Sequence, residues 1–174
     1  IMIQEVERLN RVIGQLLEFA RPIPIQKRTT HLDALIRHSL KMVEGDARQK
    51  AITLNVNGDS SINTVQIDPD RIKQVLLNLY LNALEAMDGG GILSVGFLRV
   101  DPIKGIQITV SDTGPGIKKE DLPHLFDPYF TTKSSGTGLG LAIVHKIIES
   151  HDGEIQVSSG LGEGTTITIT IPRT

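Results

Sequence analysis

The chain has 174 residues, 39% of them hydrophobic and 22% charged, the balance of an ordinary globular domain or of a domain with an appendage. Its 18 Lys and Arg against 20 Asp and Glu give a net charge of −2, without the basic surplus of a nucleic-acid binder. The lack of cysteine excludes disulfides, thiolate metal sites and a cysteine nucleophile, and no run approaches the roughly 18 apolar residues of a membrane helix.

Residues 1–20 carry Met2, Val6, Leu9, Ile13, Leu16 and Ala20, whose spacing alternates between three and four and predicts a helix with an a/d seam. Glu5, Glu7, Arg8, Arg11 and Glu18 take its other faces. The seam needs a partner, either its own domain or a bundle or dimer. Pro22 and Pro24 stop the helix and favour the second. The chain opens inside this helical pattern, so it reads as cut from something longer. A second helix is expected from Asp33 towards Lys50, then a strand over Ile52–Val56 and another around Val65 and Ile67. Asp68-Pro69 starts a third helix, because an acidic cap followed by proline in the first turn satisfies and preshapes a helix N-terminus. Gly89-Gly90-Gly91 ends it.

Strands follow at Ile92–Leu98 and Ile106–Val110, joined by a turn around Asp101 and Gly105. A loop-rich stretch from Thr113 to Gly138 precedes a helix over Leu139–Ser150. Ile155–Val157 and Thr165–Ile171 read as a closing hairpin. Helices early and mostly antiparallel strands late predict an α+β chain: a two-layer sandwich with one sheet covered by helices on one face. Glycine is uneven. Of 17 glycines, three lie before residue 89, so the second half needs many backbone shapes that other residues resist.

There is no G-x-x-x-x-G-K-[ST] loop, nor a G-x-G-x-x-G between strand and helix. Three other features could carry chemistry. Asp112-Thr-Gly114-Pro-Gly116 puts an acceptor-only carboxylate at a strand end beside glycines, which suits an exocyclic amine such as adenine's. Alone, it is more often an ordinary turn. Gly136-Thr137-Gly138-Leu139-Gly140-Leu141 precedes a helix, so its backbone N–H groups could hold phosphate. Asn78 and Asn82 share one helix face in an apolar stretch, where two amides need polar partners such as a Mg²⁺ ion on a polyphosphate. Between the glycine clusters, Phe126-Asp-Pro-Tyr129-Phe130-Thr-Thr-Lys133 suggests an aromatic lid, with Lys133 as a charge for a terminal phosphate.

In this order and spacing the pieces resemble the catalytic core of sensor histidine kinases, from about residue 33 to the end. Gln74 to Ala83 looks like that family's N box, Asp112–Gly116 its G1 box, Phe126–Phe130 its F box and Gly136–Leu141 its G2 box. The Tyr-Phe-Thr-Thr-Lys form is similar to that of nitrogen-regulator and metal-responsive members.

The resemblance implies the Bergerat ATP-binding fold shared with DNA gyrase. Residues 1–21 would end a dimerisation domain, 22–30 would be a linker and 31–174 the ATP-binding domain. It implies ATP and Mg²⁺ as cofactors, with Asn82 the main metal ligand assisted by Asn78. Asp112 would receive the adenine amine, Gly114 and Gly116 shape the base pocket, and Thr165 lie near the base. Gly136, Thr137, Gly138, Leu139, Gly140 and Leu141 would face the phosphates, and Lys133 the γ-phosphate. A homodimer through the first helix, a response-regulator receiver domain as partner, and a cytoplasmic place in an inner-membrane sensor are further implications.

Hydrolysing relatives have a Glu base four residues before the metal Asn, whereas Asn78 stands here, which favours transfer to a protein acceptor over hydrolysis. Several kinases have a basic residue where Glu85 stands. None of His31, His38, His124, His145 or His151 sits in the family's H-E-x-x-N-P-like acceptor motif, so the acceptor is expected upstream. His145 and His151 read as surface histidines. An ATP-hydrolysing switch and a non-catalytic, nucleotide-sensing dimerisation module are the alternatives.

Overall fold

A computed structural model describes residues 2–101, 105–134 and 136–173. The turn expected around Asp101 and Gly105 therefore falls partly outside the described residues. The elements, in chain order, are α1 (Met2–Ala20), β1 (Arg28–Thr30), α2 (Leu32–Gln49), β2 (Ile52–Gly58), β3 (Val65–Ile67), α3 (Pro69–Ala86), β4 (Gly91–Val100), β5 (Gly105–Asp112), α4 (Gly140–Ser150), β6 (Glu154–Gly160) and β7 (Gly164–Ile171). A 3₁₀ turn at Leu122–His124 interrupts the long loop.

Five strands form one sheet in the order β2-β4-β5-β7-β6. The β2–β4 pair is parallel and the other three are antiparallel. Alternation decides which face is covered. Val95, Val110 and Ile167 stand in one cross-strand row, all buried, and Gly96, Thr109 and Thr168 in the next row point the other way. Helices α2, α3 and α4 pack over the apolar face through Ile36, Leu76, Ile143 and Ile147, all fully buried. Each such side chain contributes about 1.5–3 kcal/mol. The architecture is the expected α+β sandwich with a mixed, mostly antiparallel sheet.

Strand β1, which the sequence does not announce, lies within residues 22–30 and pairs antiparallel with β3. Three residues are too few to show alternation. Just before it, the Gln26 N–H donates to Asp68 Oδ2 at 2.8 Å. Asp68 is the N-cap of α3 and also accepts from the N–H groups of Asp70 and Arg71, both at 3.1 Å. Burial pushes its carboxyl up, but those N–H bonds outweigh it and hold the group below its ordinary value.

One expectation is corrected here. His151 is fully buried, not a surface residue. It caps the end of α4, where Nδ1 donates to Ile147 O at 2.8 Å and Nε2 accepts from the Asp68 N–H at 3.0 Å. Both ring nitrogens are used, so the neutral ring joins the end of α4 to the start of α3. A histidine at a helix end carries no local sign of an element packed onto it from elsewhere in the chain. His145 does stay partly exposed, beside Glu149 and the Phe126 ring.

Helix α1 divides its apolar residues. Leu16 and Phe19 pack against the core, whereas Val6, Leu9, Ile13 and Leu17 are each more than half exposed. Leu16 thus leaves the expected stripe and Leu17 replaces it.

Candidate functional site

A cavity of about 600 Å³ opens between α3, the end of β5, the long loop and the start of α4, with α1 along one side. Asn78, Asn82, Asp112, Gly116, Lys133, Gly136, Thr137, Gly138, Gly140, Leu141 and Thr165 all line it. Gly114 and Leu139 do not. The Gly114 N–H instead donates to Asp112 Oδ1 at 2.8 Å, and the Leu139 side chain is fully buried at the N-cap of α4.

Asp112 ends β5 between Leu93 of β4 and Thr165 of β7. Burial pushes its carboxyl above the ordinary value, against the N–H bonds from Gly114 and Thr165 that pull it down. It is a partly desolvated acceptor at the cavity wall, suited to a donor from a ligand. The loop after it is held firmly. Gly116 has φ +76°, and a side chain there would run into the Gly160 carbonyl. The Ile117 N–H donates to Ser159 Oγ and the Gly162 N–H to Pro115 O, both at 2.8 Å. This end of the cavity is built on the β6–β7 hairpin.

At the other end stand the glycine loop and α3. Asn78 and Asn82 are partly exposed, and neither amide has a side-chain hydrogen-bond partner among the described residues. The polar partners that their apolar setting calls for are thus not supplied from within. A Cβ on Gly140 would lie 3.7 Å from Asn78 Oδ1, so the glycine at the start of α4 lets amide and loop face one another closely. No side chain caps α4. Gly138, with φ +69°, abuts the Tyr129 backbone and its carbonyl accepts the Tyr129 N–H at 2.9 Å. The aromatic loop is thereby fastened to the glycine loop. Of the expected aromatic plug, Phe130 lines the cavity, Phe126 meets the His145 ring at a tilt and Tyr129 faces solvent.

Lys133 Nζ lies 2.5 Å from Glu85 Oε2, pairing the aromatic loop and α3. Both groups are well exposed, so the pair itself stabilises by about 0–1 kcal/mol. The sequence reading missed this pairing, because the two residues are 48 positions apart. It also missed Arg8, Arg11 and Gln15 of α1, which share the cavity wall. Their spacing places them on one helix face, but nothing in it says what that face meets. Among the described residues there is no cluster of three or more His, Cys, Asp or Glu that could hold a metal, and no helix long and apolar enough to cross a membrane.

Residues 67–174 match the family described as histidine kinase-, DNA gyrase B-, and HSP90-like ATPase. The chain is 45% identical over 172 residues to the sensor histidine kinase ZraS of Escherichia coli K12, covering 99% of this chain and 37% of that protein. It therefore spans little more than a third of that relative's length. Among solved structures, full-length ShkA in complex with AMPPNP superimposes with a TM-score of 0.86 at 26% identity, covering 98% of this chain and 37% of that one. Histidine kinase ThkA in complex with the response regulator TrrA gives 0.83 at 30% identity, covering 100% and 50%.

Proposed function

The chain belongs to the histidine kinase-, DNA gyrase B-, and HSP90-like ATPase family, in its sensor histidine kinase branch, and from that premise we propose a phosphotransfer role. It binds Mg²⁺-ATP and delivers the γ-phosphate to a histidine on an upstream dimerisation helix, for relay to a response-regulator receiver domain. The observation that carries this reading is one cavity with a desolvated carboxylate at one end and a glycine loop facing two unpartnered amides at the other.

Asp112 accepts the adenine amine, with Thr165 beside it and Gly114 holding the carboxylate in place. The backbone of Gly136 to Leu141 lies along the phosphates, where several N–H donors do more than the helix dipole alone, worth about 0.3–1 kcal/mol. The donor set fits Mg²⁺: the Asn78 and Asn82 amide oxygens are hard ligands, and phosphates and water would complete the shell. When bound, the ion neutralises charge on the phosphate oxygens. Lys133 adds a further positive charge, freed from Glu85 when the terminal phosphate arrives.

In the transfer itself, an imidazole nitrogen of the acceptor attacks the γ-phosphorus in line. The N–P bond forms as the bond to the β,γ-bridging oxygen breaks, ADP leaves and the imidazole proton passes to solvent. Asn78 stands where a base would activate water, and an amide cannot take a proton, so water is a poor competitor.

The exposed stripe of Val6, Leu9, Ile13 and Leu17 supports a homodimer through α1, with residues 1–21 ending the dimerisation domain, 22–30 connecting and 31–174 binding ATP. A position on the cytoplasmic side of a membrane sensor is part of the same proposal.

The test mixes the chain with γ-labelled ATP, Mg²⁺ and a dimerisation-domain fragment bearing the acceptor histidine. Acid-labile label should appear on that histidine. Rapid release of labelled phosphate with the histidine unlabelled would favour the hydrolysing switch instead.

A further inference from the structure

Helix α1 contributes more than a dimer face. Arg8, Arg11 and Gln15 follow one another at three and four residues, so they share a face, and all three stand on the cavity wall. That wall is at the phosphate end: Thr137 Oγ1 of the glycine loop donates to Gln15 Oε1 at 2.5 Å. Two further contacts hold α1 in this position. Arg71 of α3 reaches Glu18 at 3.0 Å, and Lys146 of α4 donates to the carbonyls of Phe19 and Arg21.

The two arginines are lightly used. Arg8 makes one long pair with Glu5, at 3.7 Å and largely exposed, and Arg11 makes no ion pair among the described residues. Across the cavity Lys133 is already matched by Glu85. Arg11, together with Arg8 beyond its one long pair with Glu5, thus places positive charge on the cavity wall at the end where a triphosphate would terminate. A planar guanidinium binds phosphate through two parallel N–H bonds, which a lysine cannot do.

We propose that Arg8 and Arg11 are binding residues for the terminal phosphate of a nucleoside triphosphate, so that α1 completes the nucleotide site. This rests on the nucleotide reading above and extends it to a helix outside the matched family region. A diphosphate ends short of these side chains and leaves them in water. The third phosphate is therefore bound by α1 and the ATP-binding unit together, and the adenine end gains nothing from either arginine.

The experiment titrates the 174-residue chain with AMPPNP and with ADP, each with Mg²⁺, comparing the unsubstituted chain with the double variant Arg8→Gln, Arg11→Gln. The expected result is an AMPPNP Kd raised about tenfold with the ADP Kd within about twofold. Raising the salt should narrow the difference between the two chains, as for any surface charge contact. A second double variant, Arg8→Lys, Arg11→Lys, should fall between, since charge is kept and the fork is lost. Unchanged AMPPNP affinity, or equal weakening of both nucleotides, overturns the proposal while leaving nucleotide binding intact. If the unsubstituted chain binds neither nucleotide, the nucleotide reading fails and this inference with it.

Discussion

Helices α3 and α4 lie side by side and meet at two corners built on opposite principles. At the first, where α3 starts and α4 ends, the buried polar side chains have protein partners. Asp68 accepts three N–H bonds, and both nitrogens of His151 are engaged. At the second, where α4 starts beside the middle of α3, the helix has no side-chain cap and two amides have no side-chain partner among the described residues. An unsatisfied buried polar group costs about 1–3 kcal/mol, so a fold tolerates open groups only where water or a ligand can reach them. The first corner holds the domain together; the second is left open to a ligand.

The largest effect should come from the open corner. Asn82→Ala removes a metal-directed amide and should cut ATP-dependent phosphotransfer at least about 100-fold, by analogy with losing one preorganised electrostatic contact. Thermal unfolding should shift by less than about 0.5 kcal/mol, since no side-chain hydrogen bond is lost. A large drop in melting temperature would show that Asn82 is structural and erase the contrast.

The closed corner should respond in the opposite way. His151→Ala strands the Asp68 N–H and the Ile147 carbonyl, with an expected loss of about 2–3 kcal/mol in denaturant unfolding. Nucleotide affinity of the remaining folded protein should stay within about twofold. Weakened ADP binding at full folding would mean that the two corners are coupled.

The smallest effect is a separation on the pH axis. Asp68 is held below its ordinary value, so the stability it contributes is present above the unfolded pKa and is lost only as pH falls through its lowered one. Asp112 is held above its ordinary value by burial. Its protonation removes the acceptor for an amine, yet favours the folded chain between the unfolded and raised pKa. On acidification ADP affinity should therefore decline before thermal stability does. Parallel calorimetric titrations and melting curves between about pH 3 and 6 check this, and coincident losses would contradict it.

Most of the open corner was legible in the sequence because its chemistry is local. Glycines at Gly116 and Gly138 stand where φ is positive, Asn78 and Asn82 repeat at one helical turn, and Asp112 ends an alternating strand. Each is a short-range pattern. The closed corner was illegible for the complementary reason. His151 and Asp68 are 83 residues apart, and neither has a local signature of its partner. Glu85 with Lys133, and Arg11 with the cavity, are illegible in the same way.

The sequence by itself determined the α+β class, the order of its longer elements and the local character of the Asn78–Asn82 face, the Asp112 turn and the glycine loop before α4. Periodicity, glycine placement and capping act over a few residues, and these are their consequences. Tertiary structure alone decided that His151 is buried, that β1 joins β3, that Leu17 rather than Leu16 faces outward on α1, and that α1 closes one side of the cavity. Those outcomes depend on which distant surface an element meets, and that is set by the packing of the whole chain.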